Sequence, residues 1–193
     1  MKGPLRKNKY QLHTNQLILS EISLDDLNDI HRLHSTPKVD EFNTLGIPKN
    51  LQETRDFIMV ILKDQADQDR KHICWSIRKR PDNVFVGLAG LVLSAKRFKM
   101  AEIYFKLFPE HWGKGYATEI ARRIFQFAFG DLSLHRIEAG VATGNVRSIR
   151  VLEKLGMTRE GIRRKILPIR GEWKDNYHYS ILIEEFNRTR IDP

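Results

Sequence analysis

Leu17 and Leu19 alternate with polar neighbours across residues 14–22 (TNQLILSEI), the period-two pattern of a half-buried strand. Ser23, with an acid at Asp26, is a capping-box variant. Leu27, Ile30 and Leu33 or His34 then place apolar groups on one face of a helix to about His34, which Pro37 is expected to end. Asn50 and Glu53 repeat the start signal, and Phe57, Ile58, Ile61 and Leu62 form the apolar face of a second helix. Residues 64–71 are polar and read as a loop. The period then returns to two. Residues 72–79, 84–95 and 100–107 read as an antiparallel meander, with turns at Pro81-Asp82-Asn83 and residues 96–99. A loop from Phe108 to Gly115 leads to a helix from Tyr116 to Phe129, with Ala117, Ile120, Ala121, Ile124 and Ala128 at core spacing and Gly130 as its stop. A strand over 135–142, a helix over 145–155 closed by Gly156, and strands over 158–167 and 173–183 complete the chain. The predicted order is β-α-α-β-β-β-α-β-α-β-β: an α/β fold with a central mixed sheet of about seven strands and about four helices. Residues 14–184 are expected to form one domain, with a basic tail over 1–13 and a C-terminal tail over 185–193.

Of the 193 residues, 41% are hydrophobic and 30% charged, with both signs interspersed, which excludes a wholly disordered or low-complexity chain. The longest apolar runs are about ten residues, against the roughly 20 that a membrane-spanning helix needs. No apolar stretch follows the basic N-terminus as a signal peptide core would, so the expected location is the cytoplasm, with no membrane partner. The single cysteine, Cys74, lies in a strand pattern and reads as a buried packing residue. His31 and His34 share a helix face, but no third ligand completes a set, so no metal is expected. The balance of 33 Lys and Arg against 24 Asp and Glu gives +9. That surplus suits an anionic ligand and is spread along the chain rather than gathered in one block.

The most informative segment is His111-Trp112-Gly113-Lys114-Gly115-Tyr116-Ala117-Thr118, at a strand–loop–helix junction. Two glycines allow a tight turn and close approach of a ligand to the backbone. The free amides and dipole of the helix start favour anions. Such a loop can cradle a pyrophosphate, and it can equally be a plain strand–helix turn. It is not a Walker A loop, because Gly115 rather than Ser or Thr follows Lys114. It is not a Rossmann fingerprint either, because Thr118 stands where Gly or Ala is needed.

Three segments in order, Glu102–Glu119 (EIYFKLFPEHWGKGYATE), Leu134–Ala139 (LHRIEA) and Asn145–Met157 (NVRSIRVLEKLGM), resemble the GNAT superfamily of N-acetyltransferases, and most nearly its RimJ/RimL-like branch. The resemblance spans Leu17 to Leu182. It implies a GNAT-like fold with a mostly antiparallel sheet, and acetyl transfer from acetyl-CoA, as co-substrate, to an amine. The family's pyrophosphate loop falls on Trp112, Gly113, Lys114, Gly115, Tyr116 and Ala117, with Thr118 adjoining, and Trp112 replaces the usual polar first residue. The pantetheine arm is implied to lie along Phe105, Lys106 and Leu107. Asn145 and Ser148 are implied to touch the pantetheine and the thioester end, although Asn145 is equally a preferred helix cap. Many members carry a tyrosine acid four residues beyond Ser148, where this chain has Leu152. Ser148 or a water must then serve the leaving thiolate. Met157 replaces the family's usual Phe.

An amine must lose its proton to attack. At pH 7 that costs about 4.6 kcal/mol for a lysine-type amine and about 1 kcal/mol for an α-amine. Glu102, on the strand leading to the pantetheine site, is the first candidate for base or amine-orienting residue, and a backbone amide within 105–107 for the oxyanion donor. Asp175 and Tyr179 match the branch's Asp-x-x-x-Tyr pattern and are secondary acceptor-side candidates. His111 reads as a surface or cofactor-adjacent residue, and Lys106 as either pantetheine-adjacent or a solvated strand charge. The expected acceptor is a peptide N-terminus or a small-molecule amine such as a polyamine or aminoglycoside, handled by a monomer or homodimer. Nucleic acid is not the expected partner. The alternative is a non-catalytic CoA-binding or nucleic-acid-associated module on the same fold.

Overall fold

A computed structural model describes residues 10–191. Within them, eight strands form one sheet in the order β1-β2-β3-β4-β5-β6-β8-β7. The strands are β1 (Leu12–His13), β2 (Leu17–Glu21), β3 (His72–Lys79), β4 (Phe85–Leu93), β5 (Met100–Leu107), β6 (Arg136–Ala142), β7 (Thr158–Ile169) and β8 (Glu172–Leu182). All neighbours pair antiparallel except β5 and β6. The helices are α1 (Leu27–His34), α2 (Pro37–Asp40), α3 (Leu51–Gln65), α4 (Tyr116–Gly130), α5 (Val146–Lys154) and α6 (Ile183–Ile191).

The period-two segments became strands because each alternates between two covered faces. Ile73, Trp75 and Ile77 of β3 join Ile103 of β5, Ile137 and Val141 of β6 and Tyr179 and Ile181 of β8 in the larger apolar cluster, beneath Ile120, Ile124 and Phe125 of α4 and Leu152 of α5. Cys74 of β3 and Leu88 of β4 lie on the opposite face with Ile30 and Leu33 of α1 and Ile58 and Ile61 of α3. This second cluster covers only the β3–β5 half of its face. Over β6 and β8 the same face is polar, carrying Glu138, Asn176, His178 and Ser180. Arg78 on β3 bonds Asp26 and Asp29 at 2.9 and 2.8 Å, pinning α1 to the sheet. No helix among the described residues is long and apolar enough to cross a membrane.

Three differences from the sequence reading have local causes. Pro37 begins α2 instead of only ending α1, since a proline lacks the N–H that a first helical position leaves unbonded. The stretch before residue 14 contributes β1, whose Leu12 is 1% exposed; the basic residues at positions 2, 6, 7 and 9 lie outside the described residues. The boundary expected after residue 184 falls inside α6. Phe186 there is buried with its ring 5.9 Å from Phe125 and 5.2 Å from Phe129, a burial worth about 2 kcal/mol.

Candidate active site

β5 and β6 run parallel for only three residue pairs, Met100–Arg136, Ala101–Ile137 and Glu102–Glu138. Beyond Glu102, β5 continues along β4 to Leu107, and β6 continues along β8 to Ala142. The two strands therefore part, and their facing edges carry main-chain groups without a sheet partner. Such edges can bridge to an extended, amide-bearing ligand laid between them.

Immediately after the parted end of β5, Trp112 Nε1 donates to the Leu107 carbonyl at 2.9 Å and folds the loop back. Gly113 and Gly115 follow at φ +74° and +81°, and a Cβ at either would meet nothing within 4 Å. Glycine is required here by the left-handed backbone, and the space beside that backbone is open. Gly115 is the residue before α4, so the first amides of α4, at Tyr116, Ala117 and Thr118, have no intrahelical acceptor and sit at the positive end of the helix. Lys114 is exposed beside them. A cavity of about 530 Å³, lined by Asn15, Gln16, Lys79, Arg80, Pro81 and Tyr116, adds two further cations at this end of the sheet. These features suit a pyrophosphate held by backbone donors.

The start of α5 faces the same opening. The Arg147 guanidinium lies 4.4 Å from the centre of the Trp112 ring and 3.6 Å from Glu41. Asn145 caps the helix, its Oδ1 accepting from the Ser148 N–H at 3.2 Å. Ser148 is half-buried on the first turn. Leu152, in the tyrosine position, is 2% exposed within the larger apolar cluster. A second cavity, of about 290 Å³, lies between the end of β6 and the segment after α2, lined by Glu41, Phe42, Ala142, Thr143, Gly144, Ile169 and Lys174.

Trp112 through Thr118, the edge of β5 at Phe105 to Leu107, and Asn145 with Ser148 are thus brought to one opening. The side chains of β5 divide between the two faces. Phe105 and Leu107 pack with the larger cluster. Glu102, Tyr104 and Lys106 point to the α1–α3 side. Glu102 is exposed at the point where the strands part.

Lys106 is not a solvated strand charge. It is largely covered, and that burial lowers its amine to about 8, against the opposing pull of Asp40. His34, 7% exposed against Phe57, is lowered to about 3, first by burial and then by Lys106 and His31. The Tyr104 hydroxyl bonds the Cys74 thiol; burial raises both groups, Cys74 to about 11. His31 is engaged separately, its Nδ1 2.8 Å from Thr54 Oγ1.

Asp175 and Tyr179 do not join Glu102. Tyr179 is buried on the α4–α5 side, its hydroxyl 3.5 Å from Glu153 on α5. Asp175 accepts from the Lys165 N–H at 2.8 Å. His111, expected at the surface or beside the cofactor, is not at the surface: it is 6% exposed, and burial lowers its pKa. Arg147, Gly140 and Asn176 went unnoticed in the sequence. The signal for the last two was a glycine inside the β6 strand pattern, which often marks a close approach by another group.

Residues 16–158 match the family model for the acetyltransferase (GNAT) domain. The uncharacterized N-acetyltransferase YoaA of Bacillus subtilis is 32% identical over 172 residues, spanning 89% of this chain and 96% of that protein. Among solved structures, a GNAT-family acetyltransferase from Bacillus anthracis superposes with a TM-score of 0.78 at 28% identity, over 91% of this chain and 99% of that one. The fold is also shared with spermidine N-acetyltransferase from Vibrio cholerae in complex with CoA and spermine, at a TM-score of 0.79 and 23% identity over 89% and 98% of the two chains. The parted strands, the glycine loop and these matches agree: the chain belongs to the GNAT family and is an acetyltransferase.

Proposed function

We propose that this enzyme, of the RimJ/RimL-like kind, transfers the acetyl group of acetyl-CoA to a primary amine by direct attack within a ternary complex. The observation that carries this reading is the parting of β5 from β6 directly beside the positive-φ glycine loop. One continuous surface thus offers strand edges for an amide-bearing arm and helix-start amides for a pyrophosphate. Acetyl-CoA supplies the activated thioester. The chain's part is to hold and orient. Amides of Gly113 to Ala117 bind the pyrophosphate, with Lys114 nearby, and the β5 edge at Phe105 to Leu107 holds the arm and lends a donor to the carbonyl oxygen as it gains charge.

Glu102 accepts or orients the amine proton. It stands exposed where the two strands separate, on the face away from α4 and α5. Leu152 cannot protonate a thiolate. A thiolate is a weak base, however, and the start of α5, with the Ser148 hydroxyl on its first turn, favours negative charge there. No strong acid is then required.

The acceptor is a primary amine on a peptide N-terminus or on a small molecule such as a polyamine or aminoglycoside. The Vibrio cholerae enzyme of the same fold, solved with CoA and spermine, supports the amine class. The buried, unpaired Cys74 suits a reducing cytoplasm.

Acetyl-CoA consumption over a panel of peptides, polyamines and aminoglycosides identifies the acceptor. On that acceptor, Glu102→Gln should slow turnover by roughly 10²–10⁴, with the loss shrinking from pH 6 to 9 as free amine accumulates. Ser148→Ala should cost only about tenfold, independent of acceptor pKa. An unchanged pH–rate profile in Glu102→Gln would remove Glu102 as the base.

A further inference from the structure

On the face that Glu102 shares with β6 and β8, most polar side chains serve one another. Arg136 bonds Glu138 at 2.8 Å and pairs with Glu160 at 2.5 Å. Ser180 Oγ bonds Glu160 at 2.8 Å, and His178 Nε2 lies 3.5 Å from Glu138. Two side chains stand apart from this network. Asn176 is 7% exposed, yet its Oδ1 is buried without a hydrogen-bond partner. No ion pair or hydrogen bond to another described residue engages the Glu102 carboxylate.

Asn176, by its Nδ2, and Glu102, by its Oε1, both reach Gly140. The place its Cβ would occupy is 2.6 Å from Asn176 Nδ2 and 3.2 Å from Glu102 Oε1. A side chain on β6 there would displace both. Gly140 follows Glu138 on the same face of β6, one step beyond the last β5–β6 pair, so the convergence sits at the apex of the parted strands. A buried carboxamide oxygen left unbonded is destabilising. Rotation of the amide about its terminal torsion brings that oxygen to the Gly140 side, where a donor held by Glu102 can reach it.

We infer that Asn176, with Glu102 over Gly140, forms the seat of the acceptor amine and selects unhindered primary amines. This rests on the acetyl-transfer reading above. A neutral primary amine presents two N–H donors and one lone pair. With the Asn176 amide turned so that its oxygen replaces Nδ2 at Gly140, the Glu102 carboxylate and the Asn176 carboxamide oxygen take both donors and leave the lone pair to attack. A secondary amine, with one N–H, leaves one of the two acceptors unsatisfied, and a quaternary ammonium leaves both. Asn176 can turn either end of its amide toward the seat by rotation about its terminal torsion.

The test uses ¹⁵N-labelled full-length protein saturated with CoA, with the Asn176 side-chain amide assigned by its loss in Asn176→Ala. Propylammonium is titrated in, with tetramethylammonium as the charge control. The Asn176 amide signals should shift saturably with propylammonium and not with tetramethylammonium. Gly140→Ala should lose that response while still binding CoA. An Asn176 signal silent to propylammonium, or moved equally by both cations, would overturn the inference, as would an undiminished response in Gly140→Ala. Calorimetry with CoA separates the two levels: absence of CoA binding defeats the acetyl-transfer reading itself, whereas normal CoA binding with a silent Asn176 defeats only the amine seat.

Discussion

Replacing Gly115 by alanine separates the cost of backbone strain from the cost of blocking a ligand. Gly115 sits at φ +81°, and a Cβ there meets nothing within 4 Å. The folded protein alone therefore bears only the left-handed backbone penalty, about 1–2 kcal/mol. For a chain of this size that lowers Tm by roughly 2–8 °C. Gly171, in the β7–β8 turn at φ +78° and likewise free of neighbours, should lose a similar amount as Gly171→Ala. The two variants differ in what the methyl group would touch. Beside Gly115 it occupies the space in which a pyrophosphate must approach the amides, so CoA affinity should fall at least tenfold, about 1.4 kcal/mol. Gly171→Ala should bind CoA as wild type does. Calorimetric titration with CoA, alongside thermal melts without ligand, reads both terms. Equal CoA affinity in Gly115→Ala and Gly171→Ala, with equal losses of Tm, would show that the glycines serve only the turn.

Two further predictions concern the covered groups on the α1–α3 side. His34 is held near 3 in the folded state, mainly by burial, whereas the unfolded chain protonates it near 6.5, so folded stability is lost as pH falls through 6.5. By pH 5 the loss approaches about 2 kcal/mol, and urea midpoints of His34→Leu should not show this component between pH 6.5 and 5; a parallel decline in both proteins would contradict it. Lys106 is lowered to about 8, mainly by burial, while the unfolded chain keeps that proton to about 10.5, so wild-type stability should rise between pH 8 and 10.5. Lys106→Met should be more stable at pH 7 by about 3 kcal/mol, an advantage that fades across that window; a Met variant less stable at pH 7 would show that Lys106 is held by a favourable interaction.

The alternating segments were legible because a strand buried on one or both faces leaves its period in the sequence, and β3, β5 and β8 lie within two residues of where the alternation put them. The glycine loop was legible for a different reason. Positive φ at Gly113 and Gly115 and the unpaired amides of a helix start follow from residue type alone. What failed to show were consequences of long-range cover. Lys106 sits on an apparently half-exposed strand, and only the packing of α1 and α3 over β5 makes it a buried amine. Asp175 and Tyr179 have the spacing of acceptor-side residues, but the phase of β8 turns Tyr179 toward α5, and Asp175 is taken up by the Lys165 N–H. That same phase brings Asn176 to Glu102, and no local pattern announces it except a glycine in the middle of β6. Phe186 was lost among the polar residues of the C-terminal stretch because one aromatic makes no period.

A crystal structure of the protein with CoA tests the central claim most directly. The pyrophosphate should lie on the amides between Gly113 and Ala117. The pantetheine arm should run between the parted edges of β5 and β6, with its sulfur between Ser148 and the Glu102 side of the opening. CoA bound outside that opening, or with its phosphates away from the 113–117 amides, would contradict the assignment of the whole site.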